Sequence, residues 1–297
     1  MDRSVSSYDS FGVPVPGGDL HVGRWTAGDP AAPVVLAAHG VTANHRCWSL
    51  VAERAGFTLV APDLRGRGRS GTLEGRAGMA RHADDLVAVL DHLGQQKAVV
   101  TGHSMGAFVA AAFADRHPDR TAALTLLDGG LPLPAPPAGT TPEQALAATI
   151  GPAATRLTMT FRSPQDYLDY WRPHPAFADD WGPAVEDYLV YDLVGKPPAL
   201  HSSVSLSAVE EDSRDLMDPW VVDRRGQQAP SGTVFLRAGY GLLAEPGGLY
   251  PPELAADHAR RYPNLEFRHA EDVNHYTLLL GVGGATVVAK LLTEVAG

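Results

Sequence analysis

Short, unbroken apolar runs alternate with amphipathic stretches along the first 130 residues. Pro33–Ala38, Phe57–Ala61, Ala98–Thr101 and Ala123–Leu127 are each continuous in apolar character and bounded by Pro, Gly or polar residues. That pattern predicts strands buried on both faces. Between them, Ala80–Leu93 carries Leu86, Val87, Leu90 and Leu93 at helical spacing, with Gly94 as the C-cap signal. Ala107–Arg116 reads as an alanine-rich helix. Strand, helix and strand in succession imply a parallel sheet covered on both sides.

The pattern changes at Leu131. The run Leu131–Pro137 contains four prolines, which lack the donor and fix φ, so it is neither helix nor central strand. From there to about Ser231 the expectation is helices broken by Pro and Gly, with no buried strand. Strands return at Gly232–Arg237 and Leu265–Arg268, and an apolar-periodic helix closes the chain at Thr286–Val295. The chain therefore reads as one α/β core, residues 1–130 and 232–297, interrupted by a helical insertion at 131–231. No internal repeat is present.

Charge is unevenly shared between these parts. The chain of 297 residues has 24 Lys+Arg and 34 Asp+Glu, a net of −10. The insertion holds 14 acidic and 7 basic side chains, 7 − 14 = −7, together with Trp171, Trp181 and Trp220. An acidic chain without a basic patch argues against nucleic-acid partners. No apolar run reaches the roughly 20 residues a membrane span needs. Met1–Ser10 lacks the apolar centre of a signal peptide, so the expectation is a cytoplasmic protein, monomer or homodimer. Cys47 is the lone cysteine, which excludes a disulfide framework.

The chemistry is concentrated where strands end. Gly102-His103-Ser104-Met105-Gly106 follows the strand Ala98–Thr101 and opens the next helix. A G-x-S-x-G at a strand-to-helix turn is a nucleophile elbow: small neighbours relieve crowding, and the helix N-terminus favours developing negative charge. Two backbone donors are then needed for an oxyanion. Met105 supplies one, and the turn His39-Gly40-Val41-Thr42 supplies the other through Val41, with His39 supporting the turn.

Taken in order, His39-Gly40, Asp63-Leu64-Arg65-Gly66-Arg67-Gly68-Arg69-Ser70, Gly102–Gly106 and Val273-Asn274-His275-Tyr276 resemble the α/β-hydrolase superfamily, in its serine esterase and lipase-like branch. The resemblance covers nearly the whole core. It implies a mostly parallel eight-stranded sheet flanked by helices, with a helical cap inserted after the sixth strand, where residues 131–231 fall. It also implies that Asp63–Ser70 is a structural loop whose arginines need not touch substrate.

His275 follows the last strand and comes after Ser104 in chain order, which suits it as the general base. The acid departs from the family pattern. Aligning the usual position after the seventh strand puts Gly241 where an acid is expected, and Glu245 is the first carboxylate beyond it. Asp128, at the end of the sixth strand, is the favoured candidate, Glu245 the alternative and Asp272 the third. No metal or cofactor is required, and His82, Asp84 and Asp85 read as capping or surface groups.

Candidate substrate contacts are His103, Asn44, Trp48, Trp171 and Trp181, with Arg156 and Arg162 as the cations that would admit an anion. His174 and His201 read as pocket or surface histidines. The expected reaction is hydrolysis of a small or medium apolar or aromatic ester through an acyl-enzyme on Ser104. Alternatives on the same Ser–His pair are carbon–carbon bond hydrolysis and a cofactor-free haloperoxidase-like perhydrolysis. A non-catalytic small-ligand receptor is the reading from a different class.

Overall fold

The computed structural model describes residues 5–134, 138–141, 144–145, 150–216 and 218–297. Part of the proline-rich run expected to be irregular, Ala135–Pro137, lies outside them, as does the side chain of Trp220. An eight-stranded sheet forms the centre, in the order β1-β2-β4-β3-β5-β6-β9-β10. Its strands are β1 (Val5–Val15), β2 (Gly18–Ala27), β3 (Val34–Ala38), β4 (Thr58–Pro62), β5 (Ala98–His103), β6 (Thr121–Leu127), β9 (Thr233–Tyr240) and β10 (Leu265–Asn274). β2 runs antiparallel to both of its neighbours, and the strands from β4 to β10 are parallel.

The continuous apolar runs become the central strands for the expected reason. All six residues of β5 are buried, as are four of the five in β3. Helices Met79–His92 and Met105–Arg116 match the periodic segments. The latter buries ten consecutive residues, Met105–Ala114, and its alanines let it lie close against the sheet. The β1–β2 hairpin was not anticipated. It is an edge element, half in water, and its mixed pattern lacks the unbroken apolar run of a central strand.

Between β6 and β9 the chain leaves the sheet for helices that include Pro164–Trp171, Pro183–Tyr191, Leu206–Leu216 and Pro219–Gln228. The expectation of no buried strand here needs correction. β7 (Leu193–Lys196) and β8 (Ala199–Ser202) form a separate antiparallel hairpin, with Leu193, Leu200 and Ser202 buried. These strands are four residues long, too short to show a period of two in sequence.

The insertion is fastened to the core by carboxylates. Glu211, Asp212 and Asp215 accept hydrogen bonds from the backbone N–H groups of Ala77, Gly78 and Met79 at 2.6, 2.7 and 2.8 Å. Those donors begin the helix Met79–His92, where N–H groups have no intrahelical acceptor and negative charge is favoured. Asp212 also lies 2.6 Å from the Arg67 guanidinium and 3.0 Å from His82 Nε2, all three fully buried. Burial alone would raise the Asp212 carboxyl, but the Arg67 and His82 charges hold it below the usual carboxylate range. Asp85, expected at the surface, is instead buried against Arg65, while Asp84 pairs with Arg116 and His117.

A buried ion pair broken on one side leaves an uncompensated charge. Asp212→Ala is therefore expected to lower unfolding free energy by about 3–5 kcal/mol, read from the denaturant midpoint. Because the Asp212 pKa is depressed by folding, its contribution is present above about pH 4 and fades as pH falls. The gap between variant and parent should narrow in acid.

Candidate active site

Ser104 is the last residue before the helix Met105–Arg116 and adopts φ 56°, ψ −126°. For a side-chain-bearing residue this is strained backbone, at a cost of order 1–3 kcal/mol. Close packing holds it there. A Cβ on Gly106 would run into the Ala38 carbonyl, so only glycine lets the helix approach β3. The Ser104 N–H donates to Leu127 O at 2.9 Å, and Gly40 passes so close that a Cβ there would sit 3.3 Å from Ser104 Cβ.

Asp128 follows β6, also at positive φ (46°), and is fully buried. Its N–H donates to Leu236 O (2.7 Å), and its Oδ1 accepts the Ala238 N–H (3.1 Å). Asp128 Oδ2 stands 2.7 Å from His275 Nδ1. A carboxylate at that distance calls for a proton on Nδ1, which leaves the lone pair on Nε2. The His275 backbone is fixed from both sides: its N–H donates to Tyr240 O (3.0 Å), and its carbonyl accepts from His103 Nε2 (2.9 Å). The His103 and His275 rings lie 4.4 Å apart. Burial, and then the neighbouring His275, push His103 well below the usual imidazole range, so it stays uncharged.

The turn carrying Val41 is fixed through its carbonyls. Gly40 O accepts from His39 Nδ1 (2.8 Å) and from the Ala43 N–H (3.2 Å). In a trans peptide the N–H points opposite the C=O, so these bonds also aim the Val41 N–H. His39 Nε2 accepts the Leu64 N–H at 2.9 Å, and burial brings its pKa down to about 4. Val41 O accepts from Arg67 Nε (2.8 Å) and Thr42 O from Arg156 (2.7 Å). The Met105 N–H lies in the first helical turn, where donors are free of intrahelical partners.

Two small cavities flank Ser104 and His275, of about 40 and 30 Å3, and both are also lined by Val41, Ile150 and Leu242. Each has room for about two or three waters. Tyr188, Tyr276 and Cys47 add to the first, and Phe108, Leu216 and Leu249 to the second. Among the described residues, Asp128, engaged by His275, is the only acidic or basic residue other than histidine in either lining.

The structure thus brings Ser104, His103, Val41, Met105, Asp128 and His275 together. Several expected residues lie elsewhere. Glu245 is exposed and folds over its own loop, where Oε2 accepts the Leu243 N–H at 2.8 Å; Asp272 is also exposed. Asn44 caps the turn His45–Trp48 and donates to Tyr188 O (3.1 Å), and Trp48 is core. Trp171 sits behind the cavity, edge-on to Tyr276 at 6.3 Å, and Trp181 lines a different groove. The tryptophan side chains are large and apolar enough to be drawn into packing, and Tyr276, a cavity wall missed in the sequence, had its adjacency to His275 as a cue.

Arg156 is buried and saturated by Ala153 O, Tyr167 and Thr42 O, whereas Arg162 pairs with Asp166 at the surface. His174 is buried in the aromatic cluster, and His201 is exposed.

Replacing Asp128 by Asn should lower kcat on a generic ester by about 10⁴, through loss of the correct imidazole tautomer. Glu245→Gln should leave kcat within about twofold of the parent, as for a surface substitution away from the site. Steady-state rates of the two purified variants check both expectations.

The model of the α/β-hydrolase fold family matches residues 33–150. Lipase LipV of Mycobacterium tuberculosis is 40% identical over 116 residues, 39% of this chain and 43% of the lipase. A bifunctional esterase/perhydrolase of Acinetobacter calcoaceticus is 35% identical over 119 residues, 39% of this chain and 42% of that enzyme. The chain thus matches less than half the length of these relatives. Among solved structures, E-2-(acetamidomethylene)succinate hydrolase superposes with a TM-score of 0.76 at 20% identity, covering 97% of this chain and 98% of that one. Fold and sequence agree: the chain has the α/β-hydrolase fold, and residues 33–150 match the model of that fold's family.

Proposed function

We propose that this protein is a serine hydrolase that cleaves a small, uncharged carboxylic ester through an acyl-enzyme on Ser104. The observation that carries the reading is the alignment at the ends of β5, β6 and β10. A strained Ser104 shares its cavities with a His275 whose Nδ1 is held 2.7 Å from buried Asp128. His275 Nε2 takes the Ser104 proton as Oγ attacks the carbonyl carbon. The Val41 and Met105 N–H groups receive the oxyanion, and Asp128 stabilises the imidazolium. His275 then returns the proton to the leaving alcohol, and water releases the acid by the reverse steps. In this reading residues 131–231 form the cap over the site.

The cavity walls support the substrate class. A carboxylate on the substrate would lie against mostly apolar side chains with no Lys or Arg among the described lining residues to meet it, and burying an unpaired charge is costly. The cavity volumes favour short acyl and alcohol groups. Perhydrolysis is the second reading, favoured by the relative that carries both activities: hydrogen peroxide replaces water in the second half-reaction.

A fluorophosphonate probe is expected to label Ser104 and to leave Ser104→Ala unlabelled, read by intact mass. Among p-nitrophenyl esters, acetate and butyrate should give higher kcat/KM than long acyl chains. A neutral ester should exceed its carboxylate-bearing analogue by about 100-fold, matching roughly 3 kcal/mol of unpaired-charge cost. Faster turnover of the charged ester would overturn the substrate class, and failure to label would overturn the hydrolase reading.

A further inference from the structure

Tyr8, His45 and Asp63 form a second hydroxyl–imidazole–carboxylate series, outside the described residues that line the Ser104 cavities and without a part in the chemistry above. They come from β1, the turn His45–Trp48 and the residue after β4. Tyr8 Oη lies 2.9 Å from His45 Nε2, and His45 Nδ1 lies 2.8 Å from Asp63 Oδ1. His45 and Asp63 are fully buried, whereas Tyr8 is 36% exposed and borders a groove of about 710 Å3.

The protons in this series are fixed by its partners. Asp63 Oδ1 also accepts the His45 N–H (2.9 Å), and Oδ2 accepts from the Arg69 N–H (2.8 Å) and the Tyr191 hydroxyl (2.7 Å). A carboxylate with four donors is ionised, and the hydrogen bonds from His45 hold it below the usual range against the upward push of burial. His45 Nδ1 therefore carries the proton and Nε2 the lone pair, so the Tyr8 hydroxyl donates to Nε2. His21 brings a third donor atom within 4.8 Å of those of His45 and Asp63. Both ring nitrogens of His45 are already engaged, which argues against a metal ion there.

We propose that Tyr8 is a second nucleophile, with His45 as its base and Asp63 as the orienting carboxylate, and that it accepts an acyl group from an activated ester. His45 Nε2 removes the phenolic proton as Tyr8 Oη forms a bond to the acyl carbon. The ester C–O bond breaks, and the proton passes from His45 to the departing phenolate. The product is an acyl-tyrosine and a free phenol, with no oxidant or further reactant. Arg46 lies 4.4 Å from the Tyr8 ring centroid, where its charge favours the developing phenolate. Burial raises the Tyr8 phenol above its ordinary range, which is why the reaction needs a base beside it.

The groove sets the class of acyl donor. Trp25 and Trp181 offer aromatic surface, and Glu53, Asp179, Asp180 and Asp187 repel anions. Neutral or cationic aryl esters fit this wall, and anionic ones do not.

Acylation of the Ser104→Ala protein with p-nitrophenyl acetate tests the proposal apart from the Ser104 chemistry. Peptide mass spectrometry is expected to find acetyl on Tyr8 at about 100 times the rate on Tyr240, the low end of what a positioned base supplies. Tyr240 is 40% exposed and serves as the internal reference. Tyr8→Phe should remove that fast phase of p-nitrophenolate release, and His45→Gln should bring the Tyr8 rate down to that of Tyr240. Equal rates at the two tyrosines in the Ser104→Ala protein, or a fast phase that survives Tyr8→Phe, would overturn it.

Discussion

Three consecutive carbonyls in the turn Gly40–Thr42 have no strand to pair with, and much of the buried polar structure follows from satisfying them. A buried carbonyl without a partner costs about 1–3 kcal/mol. Here Gly40 O takes His39 and Ala43, Val41 O takes Arg67, and Thr42 O takes Arg156. Two guanidinium groups have been brought out of water to do this, and each then needs an anion. Arg67 finds Asp212; Arg156 finds Tyr167 and Asp192, 3.4 Å away. Both carboxylates lie in the insertion between β6 and β9. The turn beside Ser104 is thus held in place by residues from outside the sheet.

This changes the meaning of the insertion's negative charge. A net of −7 in the insertion first suggests an electrostatic filter against anions. Of those acidic residues, Asp192 and Asp212 neutralise buried arginines, while Glu211, Asp212 and Asp215 satisfy the start of a core helix. In the proposed reaction, discrimination against anions would rest more directly on the apolar walls around Ser104, because desolvation acts at contact and is not screened by salt.

The parts of the site that were legible in the sequence are those whose geometry is local. Ser104 could be located because a strand, two glycines and a helix occur within a few residues, and His275 because it follows the last strand. The partner of His275 was not local. β6 and β9 are neighbours in the sheet but more than 100 residues apart in sequence, and their pairing puts Asp128 beside Ala238 and in reach of His275. The sequence left Asp128 and Glu245 in competition, and only the register separates their positions. The pocket walls were least legible, since Tyr188 and Ile150 reach Ser104 through the path of the insertion.

The same connections bear on how far core and insertion are separable. A division at residues 131 and 231 follows the chain, but the charges do not respect it. Excising the insertion would strand Arg67, the donor to Val41 O, without Asp212, and would leave the Thr42 carbonyl without Arg156. Each such charge costs several kcal/mol, against a typical total stability of about 5–15 kcal/mol. The Val41 N–H belongs to the peptide next to those carbonyls, so any movement of the turn alters where an oxyanion would be met. Displacements well under 1 Å matter for a donor that must lie about 3 Å from a developing charge. In this chain, then, the insertion helps hold the turn beside Ser104, and substitutions within it should act on the candidate site from a distance through Arg67 and Arg156.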